Sequence, residues 1–216
     1  MKKGLTELVF ILDKSGSMGG LERDTIGGYN AMLEKQRAVE GECRITTVLF
    51  DSTFALLHDR IDIRAVCPIT EAEYRVGGST ALLDAIGKAI HKIGNAQKHT
   101  AEDYRAERVL FVIITDGEEN SSKAYSANMV KRQIQRQKDR YGWEFIFLGA
   151  NIDAVQTASH YGIAPDRAQN YHADREGVEL NFKVMSDVVT SFRTCAAMPT
   201  NWNDAIRVDY KRRGGK

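Results

Sequence analysis

Short apolar runs alternate with longer stretches of helical periodicity, and this alternation constrains the fold of the chain most strongly. The runs are rich in Val, Ile, Leu and Phe, which is typical of strands buried on both faces, and they cover residues 7–12, 44–50, 108–115 and 143–148. Amphipathic helical patterns cover residues 21–39, 81–93, 122–137, 152–160 and 178–192. The alternation predicts a three-layer, Rossmann-like α/β fold, in which a mostly parallel sheet carries helices on both faces.

One further apolar segment departs from this alternation. The segment 53–63 follows the run 44–50 after only Asp51 and Ser52, which is too short a connection for a parallel crossover. It therefore predicts an antiparallel strand at one edge of the sheet. A chain of 216 residues can hold one large domain, which we assign to residues 1–193. Residues 194–216 contain Pro199 and a Gly-Gly end, and we expect an irregular C-terminal extension.

The bulk composition excludes several classes of protein. Lys plus Arg number 30 and Asp plus Glu number 29, so the net charge gives no reason to expect a nucleic acid or an anionic membrane as partner. The three cysteines are an odd number and lack C-x-x-C spacing, which argues against a disulfide framework. The N-terminus lacks the apolar core of a signal peptide, and no apolar run approaches the ~20 residues of a membrane span. We therefore expect a cytoplasmic protein.

Polar residues with metal-binding chemistry follow the predicted strands. Asp13, Ser15 and Ser17 form a D-x-S-x-S motif directly after the first run, and alternate residues of a tight loop can point toward one spot. Thr80 ends a Gly-Gly-Ser-Thr segment that opens a helical pattern, where Ser79 or Thr80 could act as N-cap. Asp116 follows the run 108–115, and ligands gather at the carboxyl ends of parallel strands. Carboxylate and hydroxyl oxygens suit a hard cation such as Mg²⁺.

Together these segments resemble the metal-ion-dependent adhesion site of von Willebrand factor A (VWA) domains. The resemblance covers about residues 5–193, and all five positions of the family pattern are filled, by Asp13, Ser15, Ser17, Thr80 and Asp116. It implies the VWA fold and a bound Mg²⁺ or Mn²⁺, with the three hydroxyls as direct ligands. The two carboxylates would act mostly through bound waters and through hydrogen bonds to those hydroxyls.

The same resemblance implies a function in protein interaction. Neutral hydroxyl ligands leave the charge of the ion under-compensated, so that it attracts an acidic side chain of a partner protein. Many stand-alone intracellular relatives, microbial ones among them, serve as adaptors or subunits beside a separate enzyme such as an ATPase. The resemblance thus indicates a module that binds a protein partner and is not itself an enzyme.

A metal-dependent hydrolase or phosphotransferase is the alternative function. A phosphotransferase of the haloacid-dehalogenase type needs a second Asp two residues after the first, where this chain has Ser15. No P-loop, dinucleotide-binding fingerprint or serine-hydrolase elbow is present, and Ser15 has no identifiable base. A structural protein, in which the metal only stabilises the fold, is a further alternative.

Overall fold

The computed structural model describes residues 1–195 and 197–215. Its strands are β1 (Lys2–Asp13), β2 (Cys43–Phe50), β3 (Phe54–Asp62), β4 (Ala106–Thr115), β5 (Glu144–Gly149) and β6 (Ala168–Asn170). Its helices are α1 (Glu22–Arg37), α2 (Leu82–Lys98), α3 (Ala127–Tyr141), α4 (Ala154–His160), α5 (Arg175–Cys195) and α6 (Asp204–Arg212). Each helix in these residues is too short or too polar to cross a lipid bilayer.

The strands form one six-stranded sheet in the order β3-β2-β1-β4-β5-β6. Every neighbouring pair is parallel except β2 and β3, so β3 is the antiparallel edge strand. The predicted α/β fold with one antiparallel edge is confirmed. β1 lies at the centre between β2 and β4, and Leu12 is paired with Ile114 near the carboxyl ends of β1 and β4.

Apolar cores cover both faces of the sheet, as the alternation of side chains along a strand requires. Leu8, Phe10 and Leu12 of β1 pack with α1, α5 and α6 on one face. Val9 and Ile11 pack with α2, α3 and α4 on the other face. Because both faces of this central strand are packed, its last residue, Asp13, has a fixed position at the carboxyl end of the sheet.

The C-terminal segment is more regular than the sequence predicts. Residues 204–212 form α6, and Trp202 and Ile206 are buried in the core on the face of α1 and α5. The Trp202 indole N–H also donates a 2.8 Å hydrogen bond to the carbonyl of Asp166. The prediction of an irregular extension was therefore wrong, because these two side chains dock the segment on the domain. The division of the chain at residue 193 stays a prediction.

The third helix begins five residues later than its periodic pattern predicts. α3 starts at Ala127, where the Ser126 hydroxyl accepts a hydrogen bond from the Met129 N–H. The preceding residues are a loop whose N–H groups, at positions 123–125, donate to the carboxylate of Asp84 in α2. Hydrogen bonds to a neighbouring helix thus take the place of the first turn of a longer α3.

Candidate metal site

The two candidate carboxylates lie at the ends of neighbouring strands. Asp13 is the last residue of β1, and Asp116 directly follows β4. The Ser15 N–H donates a 2.7 Å hydrogen bond to Asp13 Oδ1, and the Thr115 hydroxyl donates a 2.5 Å hydrogen bond to Asp13 Oδ2. Both oxygens of Asp13 therefore have protein donors, and Thr115 ties the ends of the two strands together.

The two serine hydroxyls of the D-x-S-x-S motif lie side by side. Their Oγ atoms are 3.0 Å apart, on a loop that makes a short 3-10 turn over Gly16–Met18. Met18 ends that turn and is buried in the core, so the loop is anchored beneath the hydroxyls. The alternation of residues in this loop therefore brings Ser15 and Ser17 together as the sequence predicts.

Thr80 lies on a second loop, which adjoins the first. A Cβ atom added at Gly117 would lie 3.1 Å from Ser17 Oγ and 3.4 Å from Thr80 Oγ1, so both hydroxyls face the same glycine. The backbone of Thr80 is paired with Asn120 by hydrogen bonds of 2.9 and 3.0 Å. The loops after β1, before α2 and after β4 thus meet at one place.

Backbone hydrogen bonds join the first two loops directly. The Gly77 N–H donates to the carbonyl of Lys14 at 2.9 Å, and the Gly16 N–H donates to the carbonyl of Gly78 at 3.0 Å. Gly78 has φ +75°, and a Cβ there would lie 3.0 Å from Ser52 Oγ, so both conformation and space favour glycine. The Gly-Gly pair therefore lets the Thr80 loop approach the serine loop closely.

Residues of the loop after β4 cap the N-terminus of α2, instead of the predicted Ser79 or Thr80. The Leu83 N–H donates to Glu119 Oε2 at 2.8 Å, and the Asp84 N–H donates to Ser122 Oγ at 2.9 Å. Neither Ser79 nor Thr80 is the N-cap residue, which is Ala81 without a side-chain cap. The prediction of a Ser79 or Thr80 cap was wrong. Because Glu119 and Ser122 serve α2, the Thr80 hydroxyl is not needed as a cap.

The Asp116 side chain is buried directly after the end of β4. It is 1% exposed, and neither carboxylate oxygen has a hydrogen-bond partner within residues 1–195 and 197–215. Burial raises the pKa of Asp116, the nearby Ser17 hydroxyl offsets part of that rise, and the charge of Asp13 adds to it. Burial also raises the pKa of Asp13. A cation placed between the two carboxylates would oppose both pKa rises.

The chemistry of the oxygen atoms limits which ion could fit. The described residues contain no cluster of three or more His, Cys, Asp or Glu side chains that could hold a metal, so a site here must use hydroxyl ligands. The available oxygens come from Asp13, Ser15, Ser17, Thr80 and Asp116. Oxygen donors without sulfur or imidazole fit Mg²⁺ or Mn²⁺. The nearby cation Lys14 is engaged in an ion pair with Asp51, at the end of β2.

A cleft of about 400 Å³ opens from these loops to the surface. The residues that line it include Ser17, Asp116, Asn151, Asp174 and Arg175. Asn151 has φ +55°, and its side-chain N–H donates a long, 3.5 Å hydrogen bond to the carbonyl of Asp116.

Comparison with known proteins identifies the fold. No protein-family model and no curated protein matches this chain. Among solved structures, a von Willebrand factor type A protein from Catenulispora acidiphila superposes on 86% of this chain with a TM-score of 0.58 and 16% sequence identity. The chain has the von Willebrand factor A fold.

Two further structures with the VWA fold contain metal. The manganese-loaded TRAP protein of Plasmodium vivax is 19% identical over 84% of this chain, which spans 74% of that protein, with a TM-score of 0.59. Mussel proximal thread matrix protein 1, with a zinc-occupied adhesion-site motif, is 12% identical over 86% of this chain, with a TM-score of 0.57. The chain spans 42% of the Catenulispora protein and 46% of the mussel protein.

Proposed function

We propose that this chain is a protein-interaction module that binds Mg²⁺ or Mn²⁺ and, through the ion, an acidic side chain of a partner protein. The observation that carries the proposal is the Asp116 carboxylate, which is buried, has no partner among the described residues and adjoins clustered hydroxyls. A buried carboxylate without a donor is costly unless a cation balances it. The proposed ligand set is Asp13, Ser15, Ser17, Thr80 and Asp116.

The side chains of the proposed ligand set would have different roles at the ion. Ser15, Ser17 and Thr80 would supply neutral oxygens, and Asp116 would supply the uncompensated charge. Asp13 would hold the serine loop in place, because its oxygens accept hydrogen bonds from the Ser15 N–H and the Thr115 hydroxyl. When bound, the ion would offer a coordination position to a carboxylate from outside the chain.

The hydrogen bonds between the loops favour a recognition site over a structural metal staple. The serine loop and the Thr80 loop are already joined by the Gly77–Lys14 and Gly16–Gly78 backbone hydrogen bonds. The Thr80 loop is in turn held by Asn120. Because protein groups connect the loops directly, the fold does not need an ion for that purpose.

The surroundings of Ser15 favour binding over catalysis. Among the described residues, Ser15 Oγ lies 3.0 Å from Ser17 Oγ and no histidine hydrogen-bonds to it, while the neighbouring Asp13 carboxylate already accepts hydrogen bonds from the Ser15 N–H and the Thr115 hydroxyl. A nucleophilic serine requires a base that accepts its proton. A metal-dependent hydrolase or phosphotransferase is therefore the weaker candidate.

Similar structures support the general class. The TRAP protein is manganese-loaded, and the mussel protein holds zinc in its adhesion-site motif, so this fold accommodates divalent cations. We infer that this chain acts as an adaptor or subunit beside a separate enzyme, such as an ATPase, in the cytoplasm. The unpaired thiols of Cys43, Cys67 and Cys195 suit a reducing compartment.

The metal step is tested first, by calorimetric titration with Mn²⁺. Ser15→Ala and Asp116→Ala should lose most Mn²⁺ binding and keep a cooperative unfolding transition. Ser159→Ala and Asp187→Ala are the matched controls, since both residues are exposed on helices. Equal Mn²⁺ affinity in all five proteins would refute the proposed ligand set.

The partner step is tested by a tagged pull-down from lysate of the source cells, with Mg²⁺ and again with EDTA. A protein retained by the wild type only with Mg²⁺, and not by Asp116→Ala, would support an interaction bridged by metal. Mn²⁺ binding combined with identical retention in every lane would instead favour a structural role for the ion.

A further inference from the structure

Tyr74 is a buried tyrosine on the connection between β3 and α2, the same connection that carries Thr80. Its side chain is 1% exposed and packs in the apolar core on the face of α1 and α5. Its hydroxyl donates a hydrogen bond to the backbone carbonyl of Asp13. A side chain from the connection of one proposed metal ligand therefore contacts the backbone of another.

The peptide group between Asp13 and Lys14 is held from two sides. The Lys14 N–H donates to the carbonyl of Phe50 in β2 at 2.7 Å. In a trans peptide the carbonyl points away from the N–H, so the Asp13 carbonyl points toward β4, where the pairing of β1 ends at Leu12. The Tyr74 hydroxyl supplies a donor just beyond that last pair.

The Tyr74 contact is the first of three hydrogen bonds that join the loop before α2 to the serine loop. Farther along both segments, the Gly77 N–H donates to the Lys14 carbonyl at 2.9 Å, and the Gly16 N–H donates to the Gly78 carbonyl at 3.0 Å. These two bonds join backbone atoms. The Tyr74 hydroxyl is thus the side-chain group of the three, and a substitution can remove it without altering the backbone.

The segment that carries Tyr74 is itself anchored on α1. The Ile69 N–H donates to the side-chain oxygen of Asn30, and the Asn30 side-chain N–H donates to the Ile69 carbonyl, both at 2.9 Å. The Tyr74 N–H donates to the carbonyl of Thr70 at 3.0 Å. Because its backbone is fixed in this way, Tyr74 binds Asp13 from a firm part of the fold.

Two other buried tyrosines of the same core contact different groups. The Tyr29 hydroxyl lies 2.5 Å from a threonine hydroxyl in the middle of β2. The Tyr171 hydroxyl donates a long, 3.4 Å hydrogen bond to the Thr115 carbonyl, which also accepts a 3.0 Å hydrogen bond from the Ala150 N–H. Of these three tyrosines in the described part of the chain, Tyr74 is the one that donates to a residue of the proposed ligand set.

We propose that Tyr74 is a positioning residue for the candidate metal site and acts through the Asp13 carbonyl. It fixes the direction in which the chain leaves β1, and with it the approach of the Ser15 and Ser17 hydroxyls to Thr80. The inference rests on the proposed function, because it concerns the arrangement of the proposed ligands. Without the hydroxyl, the peptide after Asp13 can rotate, and metal binding must then order the ligands at a cost in affinity.

The test compares Tyr74→Phe with Tyr29→Phe, which makes the same change elsewhere in the core. Calorimetric titration with Mn²⁺ gives the affinities, and electron paramagnetic resonance of the bound Mn²⁺ reports the regularity of its ligands. Tyr74→Phe should bind Mn²⁺ about tenfold more weakly than wild type, a loss of ~1.4 kcal/mol, and should broaden the Mn²⁺ lines. Tyr29→Phe should match the wild type in both. The urea midpoint should fall in both variants, since each leaves a buried hydrogen-bonding group without its partner.

A second variant tests the same role without changing the tyrosine. Asn30→Leu removes both hydrogen bonds that anchor Ile69 on α1 and keeps the Tyr74 hydroxyl. Because the base of Tyr74 is then loosened, Asn30→Leu should also bind Mn²⁺ more weakly than wild type. This variant decides the question if Tyr74→Phe lacks a cooperative unfolding transition, and wild-type affinity in Asn30→Leu would then overturn the positioning role.

The outcomes separate this inference from the proposed function. Wild-type Mn²⁺ affinity and line width in a folded Tyr74→Phe would overturn the positioning role and leave the metal site standing. An equal loss of affinity in Tyr29→Phe would show a general effect of a loosened core and would also overturn it. A wild-type protein that binds no Mn²⁺ would reject both the positioning role and the proposed function.

Discussion

The Thr115 hydroxyl donates a 2.5 Å hydrogen bond to Asp13 Oδ2, and this contact joins the ends of the two central strands. Since the Ser15 N–H donates to the other oxygen, the Asp13 carboxylate is held by protein groups on both sides. Asp116 differs, because neither of its oxygens has a partner among the described residues. The two aspartates are therefore not equivalent: protein donors hold the Asp13 carboxylate, whereas the described residues provide no such donors to Asp116.

Thr115→Val removes one donor to Asp13 while keeping the shape of the side chain. A hydrogen bond to a charged group contributes about 1.5–3 kcal/mol, so the free energy of unfolding should fall by that amount. The Mn²⁺ affinity should fall as well, because the serine loop loses its fixed orientation. Urea unfolding and calorimetric titration measure the two effects. Thr100→Val is the control, because it removes a hydroxyl that donates to the Ala96 carbonyl at the end of α2, and its Mn²⁺ affinity should stay intact. An unchanged Mn²⁺ affinity in Thr115→Val would contradict the role of Asp13.

Asp116→Asn should stabilise the protein when no metal is present. The change removes a buried charge that has no hydrogen-bond partner among the described residues and that lies near Asp13, so we expect a gain of about 1 kcal/mol in the free energy of unfolding. The same variant should lose Mn²⁺ binding. Urea unfolding in EDTA and in excess Mn²⁺ separates the two effects: wild type should gain stability with Mn²⁺ and Asp116→Asn should not. A metal-free variant less stable than wild type would show that Asp116 supports the fold itself.

The sequence was sufficient to predict five of the six described strands, all but the three-residue β6, together with their alternation with helices and the three loops that carry the candidate residues. Those features depend on local patterns, such as apolar runs and the residues that directly follow them. The antiparallel β3 was predictable for the same reason, because the short Asp51-Ser52 connection excludes a crossover.

The features that were missed depend on contacts between distant segments. Periodicity extends α3 back to residue 122, but Asp84 and the capped end of α2 bind the intervening loop. α6 exists because Trp202 and Ile206 meet a core built by other elements. Thr115 lies within the quoted Thr-Asp-Gly segment, yet nothing local indicates that its hydroxyl donates to a residue 102 positions away.

A buried ion pair far from the candidate site should control stability. Glu7 in β1 is 0% exposed, and its carboxylate accepts hydrogen bonds of 3.0 and 3.1 Å from Arg60 Nε. Arg60→Met would leave that carboxylate buried without its cation and should cost about 3–5 kcal/mol in the free energy of unfolding. The double variant Glu7→Gln/Arg60→Met should recover most of the loss. Urea unfolding measures both variants. If the single and the double variant were equally stable, the charge on Glu7 would contribute little to stability.

His58 should make the stability of the fold depend on pH. Its ring nitrogen Nδ1 lies 2.9 Å from Thr47 Oγ1, and the Thr47 hydroxyl also contacts Tyr29 at 2.5 Å. Burial lowers the pKa of His58 below its usual 6.5, although the charge of Glu73 opposes this. As pH falls through ~6.5, the unfolded chain binds a proton at His58 before the native state does.

The free energy of unfolding should therefore decrease as pH falls from about 7.5 to 5.5, with His58 contributing at most ~1.4 kcal/mol per pH unit. Stability from this group is fully present above ~6.5 and is lost between that value and the lower pKa of the native state. His58→Asn keeps a polar atom near Thr47 and cannot titrate, so its pH profile should be flatter than that of wild type. Urea unfolding at half-unit pH intervals gives both profiles, and parallel curves would show that His58 does not carry the pH dependence.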